Sequence, residues 1–466
     1  MASTSGRCGR RRIVVPDAPR VRLAVLNFNG GDHVVRCLEA LTKLDWPHDR
    51  LELVVIDNAS SDGSDRVVED RFPDVRLVRN VTNTGFPANN LALVDLEAVD
   101  YVGLVNPDSF VEPGWLRPLV EALDSDAAVG AVSARMLFAD RFVDVEVVSP
   151  TFVPGTADHR TLGVRVSGLR VGGVDRWRDA HLADGGWGIE HDRDGATFQW
   201  TSERADIRVP VPNGAAGAEL DMPVAELQLA AEAPKRLTLR CGGVERTVDV
   251  GTEPAWVEMP IAGLPRDIVN NVGSIVFDDG YGADRGYLEP DEGQFDTAAE
   301  VFAWCGGSVL FRTDYLRDVG LLDERFFLYY EDTDLSWRGR TRGWRYRYVP
   351  DAVVRHVHAA SSGEGTPVFQ HYVERNRLLM LVKDAPRGLA LRAVGRYVLV
   401  TLSYARRDIV RPLLRLRRPR VEQVRRRVMS FAGFLRLAPA MLIDRRRIRR
   451  RATVGDRELR AWFVRR

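Results

Sequence analysis

A single carboxylate, Asp108, follows an apolar run in the stretch LVNPDSF at residues 104–110. Proline and aspartate are common turn residues, and an aspartate side chain often accepts hydrogen bonds from nearby backbone N–H groups, so a simple turn explains the position. A carboxylate at the end of a strand can also bind a metal ion or a polar ligand. Other polar residues must reach the same place for that second interpretation to hold.

A pair of acidic residues, Glu331 and Asp332, lies in the stretch FFLYYEDTDLSWR at 326–338. The aromatic run before Asp332 would partly shield its carboxyl group from water, and desolvation raises a carboxyl pKa above its usual value of about 3.9, which makes a stronger base. The same residues would suit the first turn of a helix, where acidic side chains favour the positive end of the dipole and stay solvated. The spacing alone leaves both interpretations open.

Two histidines, His356 and His358, alternate in the stretch VVRHVHAASSGEG at 353–365. In a strand they would point to the same side. A lone histidine is more often structural than a metal ligand, but Asp108 offers a partner. One carboxylate and one imidazole, together with phosphate oxygens and water, would make an octahedral site for Mn²⁺, or for Mg²⁺ with a less suitable nitrogen ligand.

The elements that must position these residues begin with a regular alternation of strands and helices. Apolar runs predict strands over 21–28, 51–58, 75–80 and 101–106, and the segments between them predict helices in GDHVVRCLEALTKL, ASSDGSDRVVEDRF and TNTGFPANNLALVDL. This alternation indicates a parallel sheet covered on both faces, whose ligands bind at the carboxyl ends of the strands. Asn27, Asp57 and Asp108 all follow strand ends, so we expect them in one crevice.

The segment 142–267 has a different pattern, with short alternating runs between turn residues. Several short strands at this spacing predict an inserted all-β sandwich or barrel. The α/β pattern then resumes, so we expect one α/β domain built from 21–141 and 268–375. Trp187, Phe198 and Trp200 in the insertion are the side chains that would stack on sugar rings if it binds carbohydrate. Their ordinary role would be a sandwich core, and an interaction or spacing module is the competing prediction.

The charge of the chain is unevenly distributed. The 466 residues carry a formal net charge of +1, but 384–466 contains 24 arginines against six acidic residues, a local charge of +18 that leaves −17 for the rest. We predict a basic amphipathic helical region over 376–466, with an anionic membrane surface as its partner. Packing on the catalytic domain or forming an oligomer interface is the alternative. No nucleic-acid partner is expected, because the region has few aromatics for base stacking.

The cysteines and the N-terminus bear on the compartment. Four cysteines are scattered without a CxxC pair, which argues against a zinc ribbon or a disulfide scaffold and favours a reducing compartment. Residues 1–20 are basic but lack the apolar run of a signal peptide, so we expect a flexible tail. The stretch 429–443 is too short for a membrane span and is interrupted by Arg436. We therefore expect a cytoplasmic protein, peripheral at the inner face of the plasma membrane.

Six motifs occur in the order found in inverting, family 2 glycosyltransferases. They are VLNFNGGDHVVRCLEAL, VVIDNASSDGS, NTGFPANN, LVNPDSFVEPGWL, DERFFLYYEDTDLSWR and VVRHVHAASSG. The chain resembles the bacterial rhamnosyltransferase-like and galactofuranosyltransferase-like members over 21–141 and 268–375. The resemblance implies a GT-A fold, in which a Rossmann-like nucleotide-binding half is part of a mixed α/β sheet.

The resemblance also implies the residues that hold the donor and the metal. Asn106, Pro107 and Asp108 are similar to the family's DxD-type motif, with Asn106 where many members have a first aspartate. Asp108 and His356 would then bind a divalent cation, Mn²⁺ or Mg²⁺. The residues implied in nucleotide-sugar binding are Asn27, Asn29, Asp57, Asn58, Asp62, Gly85, Asn89, Asn106, Asp108 and Arg375.

The catalytic roles come from the same resemblance. Asp332 matches the family's catalytic base, and Glu331 would position the acceptor hydroxyl or support the base. Trp304, Gly306 and Gly307 resemble the acceptor-side loop, although a tight turn before the next strand explains the glycines equally well. For Arg375, a charge on a helix surface is the alternative to contact with the diphosphate.

The function predicted from these residues is transfer of a sugar, with inversion, from a nucleotide diphosphate donor to a hydroxyl of a glycan or lipid-linked acceptor in bacterial cell-envelope polysaccharide synthesis. The alternative is a catalytically silent protein that binds a nucleotide and a glycan. A dinucleotide oxidoreductase is disfavoured because no GxGxxG follows the first strand.

Overall fold

A computed structural model describes residues 18–155, 158–192, 195–211, 224–357 and 366–466. The chain forms two compact units. The first contains residues up to 136, 271–285 and 295–466, and the second contains 137–270 and 286–294. His358 and most of the N-terminal tail lie outside the described residues.

The first unit opens with the predicted alternation of strands and helices. Its strands are β1 Val21–Asn27, β2 Leu51–Asp57, β3 Arg76–Arg79, β4 Tyr101–Val105, β5 Ser109–Val111 and β6 Val129–Phe138. Its helices are α1 Gly31–Leu41, α2 Ser64–Arg71 and α3 Leu116–Asp124, with a short 3-10 helix at His48–Arg50. β1 pairs in parallel with both β2 and β4, and β2 pairs in parallel with β3. The carboxyl ends of β1, β2 and β4 therefore lie at one edge of the sheet.

The helix expected after β3 is present as a 3-10 helix, Phe86–Ala92. Two asparagine side chains of this helix form hydrogen bonds with backbone groups. Asn89 donates from Nδ2 to the carbonyl of Phe86 at 3.0 Å, and Asn90 exchanges hydrogen bonds with the backbone of Leu322. Asparagine side chains that bond to backbone groups compete with α-helical hydrogen bonds.

The second unit contains the predicted β-rich insertion. Its strands are β7 Arg141–Val148, β8 Arg165–Val171, β9 Val174–Asp175, β10 His181–Gly186, β11 Glu190–His191, β12 Thr197–Val211, β13 Val224–Ala230, β14 Lys235–Cys241, β15 Val244–Val250 and β16 Ala255–Pro260. The long strand β12 pairs with β7 through its last eight residues and with β8 near its start. Alternate apolar side chains of β7, β8, β12, β13 and β14 pack together in one hydrophobic core.

The aromatic residues of the insertion are packed against their neighbours. Phe198 is buried under the guanidinium of Arg165, whose Cζ atom is 4.0 Å from the ring centre. Trp200 is half-buried and packs edge-on against Phe198 and Phe152. Sugar stacking by these side chains stays a prediction.

The first unit resumes with antiparallel strands that complete a mixed sheet. The new strands are β17 Val269–Asn271, β18 Ser274–Val276, β19 Gly282–Asp284, β20 Ala299–Glu300, β21 Ser308–Arg312 and β22 Arg345–His356, and the new helices are α4 Thr313–Val319 and α5 Glu331–Thr341. The main sheet order is β20-β22-β6-β21-β4-β1-β2-β3. β21 is antiparallel to β4 and β6, and β22 is antiparallel to β5. The expected α/β class with a β-rich insertion is confirmed.

The C-terminal region is helical, as predicted. It consists of α6 Pro367–Lys383, α7 Arg387–Ala405, α8 Arg411–Leu414, α9 Glu422–Arg451 and α10 Asp456–Arg460, with a π-helical segment at Arg406–Val410. These helices share a hydrophobic core with α5: Phe434 and Met441 of α9 join Trp337 and Leu378 in it. The region is therefore part of the first unit. No helix in the described ranges is both long enough and apolar enough to cross a membrane.

Candidate active site

Asn27 and Asp57 occupy equivalent positions at the ends of neighbouring parallel strands. The Nδ2 atom of Asn27 donates to Asp57 Oδ1 at 2.9 Å and to Ser64 Oγ at 2.8 Å, and both Asn27 and Asp57 are buried. Asp57 Oδ2 accepts from the backbone N–H of Ser60 at 3.2 Å. The loop after β2 is thus fixed to the end of β1 by buried polar groups.

The loops after β1 and β2 are joined by two more of the predicted residues. Asn29 has a left-handed backbone, with φ of 52°, and its Oδ1 accepts from the backbone N–H of Ser61 at 2.7 Å. Asp62 accepts from Gly31 N at 3.0 Å and from Ser64 Oγ at 2.6 Å. Burial works against ionisation of Asp62, but the hydrogen bonds from Ser64 and Gly31 outweigh it and lower the pKa. This edge therefore holds a stable negative charge.

Asn58 uses its side chain to hold the loop that follows β3. Its Nδ2 donates to Asn83 Oδ1 at 2.8 Å and to the carbonyl of Gly85 at 3.1 Å, while its Oδ1 accepts from Asn80 Nδ2 at 3.0 Å and Thr84 N at 3.1 Å. These four hydrogen bonds satisfy the amide completely. Asn58 shapes the loop, and direct contact with a nucleotide stays a prediction.

Gly85 is required by the close approach of two backbones. Its φ is +76°, and a Cβ atom there would stand 1.9 Å from the carbonyl oxygen of Phe327. The next residue, Phe86, donates from its backbone N–H to that same oxygen at 2.7 Å. The loop after β3 is therefore locked to the segment that precedes α5. Nearby, the Oδ1 atom of Asn89 is buried without a hydrogen-bond partner, a polar atom that faces no protein donor.

Asp108 and His356 meet where β5 pairs with β22. Asp108 Oδ1 lies 3.2 Å from His356 Nε2, and the two side chains are about nine-tenths buried. Asn106, two residues earlier, donates its backbone N–H to Gly307 O at 3.0 Å. Beneath them, Cys37 contacts the carbonyl of Asn106 through its Sγ at 3.5 Å. Burial, and then the charge of Asp108, raise the pKa of Cys37, so this thiol stays protonated.

Glu331 and Asp332 begin α5 in an unusual local setting. Glu331 is buried, and its Oε2 has no hydrogen-bond partner. Burial raises the pKa of Glu331 well above its usual range, and the charges of Asp332 and Asp334 raise it further. Burial also raises the pKa of Asp332, against hydrogen bonds from Thr333 and the backbone of Gly306. The two acids do lie in the first turn of a helix, but Glu331 is not solvated there.

The segment before α5 has a strained backbone. Phe327, Tyr329 and Tyr330 have φ of 65°, 68° and 71°, in the left-handed region that aromatic residues rarely occupy. Each such residue costs about 1–3 kcal/mol and persists only where the surroundings fix it. Strain of this kind is concentrated at functional sites, and here it directly precedes the two acids.

Arg375 and Asn376 of α6 supply the contacts that hold the strained segment. Asn376, which is fully buried, donates from Nδ2 to the carbonyls of Phe326, Leu328 and Tyr329 at 2.8, 2.7 and 2.8 Å. Arg375 donates from Nη2 to the carbonyls of Arg325 and Phe326 at 3.0 and 2.8 Å and from Nε to Asn376 Oδ1 at 2.8 Å. The guanidinium of Arg375 is thus directed at the loop, and contact with a diphosphate stays a prediction. The sequence motif pointed to Arg375 but not to Asn376.

The predicted acceptor loop joins the other segments. A Cβ atom on Gly306 would stand 2.8 Å from Phe86 Cζ, and one on Gly307 would stand 2.6 Å from Met136 Cε and 3.7 Å from Asn106 Nδ2. Trp304 is fully buried against Phe311, with ring centres 4.8 Å apart, so its side chain belongs to the core.

Contacts link several of the segments that carry the predicted residues. Gly307 contacts Asn106, Gly306 contacts both Phe86 and Asp332, and Gly85 contacts Phe327. The carboxyl edge of the sheet therefore meets the start of α5.

Asp334, the third acid of the cluster, has a structural role. It is fully buried, and its Oδ2 accepts from Arg338 Nε and from Lys383 Nζ, each at 2.9 Å. Lys383 also donates to Asp323 Oδ2 at 2.7 Å. Burial acts against ionisation of Asp323, but Arg325 and Lys383 outweigh it and lower the pKa. This network ties α5 and the loop before it to α6.

A divalent cation would find suitable ligands at Asp108 and His356. A carboxylate oxygen and an imidazole nitrogen suit Mn²⁺, and they lie within reach of one ion. In the described ranges, no cluster of three or more histidine, cysteine, aspartate or glutamate side chains is placed to hold a metal. The remaining ligands would therefore have to come from phosphate oxygens and water. The site fits a cation that binds together with a diphosphate.

Comparison with known proteins gives a family match in the same region. Residues 23–163 match the family described as Glycosyl transferase family 2. An N-acetylglucosaminyl-diphospho-decaprenol L-rhamnosyltransferase of Mycobacterium tuberculosis is 46% identical over 77 residues, which are 16% of this chain. The matched segment spans 23% of that relative's length.

Three solved structures are similar at low identity. GalNAc-T7 with UDP, GalNAc and Mn²⁺ is 12% identical with a TM-score of 0.40, over 78% of this chain and 50% of that one. The mannosyltransferase PcManGT from Pyrobaculum calidifontis, with GDP-Man and Mn²⁺, is 14% identical with a TM-score of 0.37, over 92% and 74%. S. aureus TarS 1-349 is 13% identical with a TM-score of 0.37, over 92% and 89%.

Proposed function

Residues 23–163 belong to glycosyltransferase family 2, and from this premise we propose that the protein transfers a sugar from a nucleotide diphosphate donor to a hydroxyl of a glycan or lipid-linked acceptor. The mixed sheet and the family match confirm the predicted GT-A fold class. The observation that carries the proposal is Asp332, a carboxyl with a raised pKa that accepts a hydrogen bond from the backbone of Gly306, next to Gly307, whose carbonyl accepts from Asn106 N.

The donor occupies the carboxyl edge of the sheet in this proposal. Asp57, the last residue of β2, and Asp62, in the loop after β2, accept hydrogen bonds from hydroxyl or N–H groups of the base or ribose. The unpaired Oδ1 of Asn89 is a further acceptor. The diphosphate then lies next to Asp108 and His356.

In this proposal, the negative charge that develops on the departing diphosphate is stabilised next to Asp108. Asp108 and His356 would hold a divalent cation there, and this cation would supply Lewis-acid stabilisation of the negative charge on the departing diphosphate. Asp108 and His356 hold their positions through the pairing of β5 with β22, so the ligands are arranged before the donor arrives.

Asp332 acts as the general base. It accepts the proton of the acceptor hydroxyl while that oxygen bonds to the anomeric carbon, and the bond from that carbon to the diphosphate oxygen breaks with its electron pair going to the diphosphate. Attack from the face opposite the leaving group inverts the configuration. Glu331 positions the acceptor or supports the base. The raised pKa of Asp332 favours proton uptake.

The proposed class of acceptor comes from the Mycobacterium tuberculosis relative, which matches this chain over 77 residues. The name of the Mycobacterium tuberculosis protein states transfer of L-rhamnose to a diphospho-decaprenol-linked acceptor. We extend this to a role in cell-envelope polysaccharide synthesis and to Mn²⁺ or Mg²⁺ as the cation. A nucleotide-linked L-rhamnose is therefore the first donor to test, followed by the galactofuranose donor that the resemblance of the sequence motifs suggests.

The test is a screen of UDP-, dTDP- and GDP-linked sugars for release of the nucleoside diphosphate, with and without Mn²⁺ and acceptor. Mass spectrometry of the acceptor identifies the product. We expect release that depends on both the acceptor and the cation. A protein that binds a nucleotide but releases no product from any donor would be a catalytically silent binding protein. This is the alternative function, and it is favoured by Asn106, which stands where a second carboxylate would be.

A further inference from the structure

The outward side of α9 exposes an apolar stripe. Five large apolar side chains are half-exposed there: Val428, Met429, Leu435, Leu442 and Ile443, with exposed fractions of 53, 55, 55, 51 and 52%. The opposite side of the same helix is buried in the core of the first unit through Phe434 and Met441. The five stripe residues are therefore not covered by the packing of α9 against the rest of the first unit.

The spacing of these residues places them in two neighbouring rows, which differ by about 100° in direction because an α-helix has 3.6 residues per turn. Val428, Leu435 and Leu442 are seven residues apart, as are the positions of Met429, Arg436 and Ile443. Positions seven apart in a helix differ by only about 20° in direction. From Val428 to Ile443 the stripe is about 22 Å long, since each residue rises about 1.5 Å. Exposed apolar side chains grouped on one side of a helix and bordered by polar residues are typical of interaction sites.

Arginines surround the stripe. They stand before it, within it and after it, at Arg425, Arg436, Arg446, Arg447 and Arg450. We call these arginines and the five apolar residues the outer face of α9. Arg425 and Arg447 each contact one acidic side chain, Glu422 at 3.5 Å and Asp444 at 3.4 Å. Exposed ion pairs of this kind are weak, so the positive potential remains.

We propose that the outer face of α9 docks on an anionic lipid surface. A helix that lies in a membrane interface buries its apolar side among acyl chains and presents its basic residues to the headgroups. Each arginine near such a surface is attracted by the negative potential of the lipids. The outer face has both features, and the local charge of +18 over 384–466 supplies the complementarity. This proposal does not depend on the sugar-transfer activity.

A second copy of the chain fits this face less well. If two copies of α9 paired through the stripe, in either direction, arginine clusters at the ends would meet arginine clusters. Like charges placed together across an interface are repulsive. Nucleic acid is also a poor occupant, because the stripe offers aliphatic rather than aromatic side chains for base contact.

The segment between α7 and α9 repeats the same composition. Leu414 and Leu416 are 80% and 98% exposed, and arginines flank them at 415 and 417. On α7, Leu391, Leu399 and Leu402 are 75, 68 and 60% exposed. Exposed leucines beside arginines therefore recur through the C-terminal helices.

The test is co-sedimentation of the full chain with vesicles of phosphatidylcholine, with and without phosphatidylglycerol. We expect binding to the vesicles that contain phosphatidylglycerol, weakened by salt, and little binding to phosphatidylcholine alone. Replacing two stripe residues together, Leu435→Gln and Leu442→Gln, should weaken partitioning about tenfold by removing apolar burial. Replacing Arg446→Gln and Arg450→Gln should weaken it about thirtyfold through lost attraction.

Leu264→Gln is the matched control, because Leu264 is 94% exposed in the second unit and should not affect vesicle binding. An unchanged thermal unfolding midpoint shows that each variant is folded, as expected for half-exposed positions. Wild-type protein that stays in the supernatant with anionic vesicles at low salt overturns the proposal. So does a dimer, seen by light scattering, that the Leu435→Gln and Leu442→Gln pair dissociates.

Discussion

The Nε2 atom of His356 lies 3.2 Å from the Oδ1 atom of Asp108, although 248 positions separate them in the chain. Antiparallel pairing of β22 with β5 produces this contact, since His356 stands opposite Ser109 in the register. Both side chains are largely buried. The two atoms proposed as cation ligands are thus brought together by the pairing of β22 with the strand that begins at the residue after Asp108.

The first prediction concerns the metal. Asp108→Asn keeps the shape of the side chain but removes its charge, and we expect Mn²⁺ binding in the presence of nucleoside diphosphate to weaken at least about tenfold. Isothermal titration calorimetry or electron paramagnetic resonance of Mn²⁺ measures this without reference to turnover. Glu97→Gln, which changes an exposed carboxylate elsewhere, should bind Mn²⁺ normally. A liganded structure with Asp108 and His356 both more than about 5 Å from the ion would contradict the assignment, because oxygen ligands lie at about 2.0–2.6 Å.

The second prediction uses two glycines with similar φ. Gly85→Ala should destabilise the protein by more than about 2 kcal/mol, because its Cβ would collide with the Phe327 backbone in addition to the strained φ. Gly63 has φ of +82° with open space around it, so Gly63→Ala should cost only about 1–2 kcal/mol. Chemical denaturation of both variants measures the difference. Equal losses of unfolding free energy in the two variants would show that the close approach of Gly85 to Phe327 does not contribute to the cost of the substitution.

The third prediction concerns Asn376 as a positioning residue. Asn376→Ala removes the Asn376 donor from the carbonyls of Leu328 and Tyr329, while the Phe326 carbonyl keeps its bond from Arg375, so we expect a loss of about 1–3 kcal/mol in the free energy of unfolding. If the segment positions Asp332, kcat should fall while KM for the donor changes little. Asn376→Gln, which keeps the amide, should restore part of kcat. A variant with reduced stability but unchanged kcat would limit Asn376 to a structural role.

The sequence predicted the strand ends well and the side-chain partners poorly. Strand β1 and helix α1 follow from apolar periodicity, so Asn27 and Asp57 were expected at one edge, where they hydrogen-bond. The full use of the Asn58 amide by a loop about 25 residues away depends on tertiary contacts that no local pattern contains. The same is true of Arg375, whose carbonyl partners lie about 50 residues earlier.

The acidic pair shows a second limit. A helix start and a buried base seemed to be alternatives because acids at a helix N-terminus are usually solvated. The chain combines them through three left-handed residues, Phe327, Tyr329 and Tyr330, which direct the start of α5 into the protein. Backbone strain of this kind is fixed by distant contacts such as those of Asn376, so local sequence rules cannot predict it.

The fourth prediction concerns pH and stability. Because Glu331 has a raised pKa in the folded state, its protonated form is favoured there, and the charged form costs stability. Below the unfolded-state pKa of about 4.3 both states are protonated and there is no cost. As the pH rises from there to the folded-state pKa, the wild type loses stability. Glu331→Gln should therefore be more stable than the wild type by about 1–2 kcal/mol at neutral pH, with the difference shrinking towards about pH 4.

Denaturant unfolding of both proteins across this range measures the effect. A difference that is constant with pH would mean that the gain comes from the new amide hydrogen bonds alone. A wild type that is the more stable of the two at neutral pH would contradict the burial of an unpaired carboxylate.

The central claim is that Asp332 is the base of a sugar transfer, and the most direct test compares Asp332→Asn with the wild type on the best donor from the nucleotide-sugar screen. We expect kcat to fall by about 10²- to 10⁴-fold, the usual contribution of a general base, with nucleotide affinity nearly unchanged. Glu324→Gln, an exposed carboxylate just before the strained segment, should keep full activity. Turnover by Asp332→Asn within about tenfold of the wild type, with the same product by mass spectrometry, would contradict the assignment.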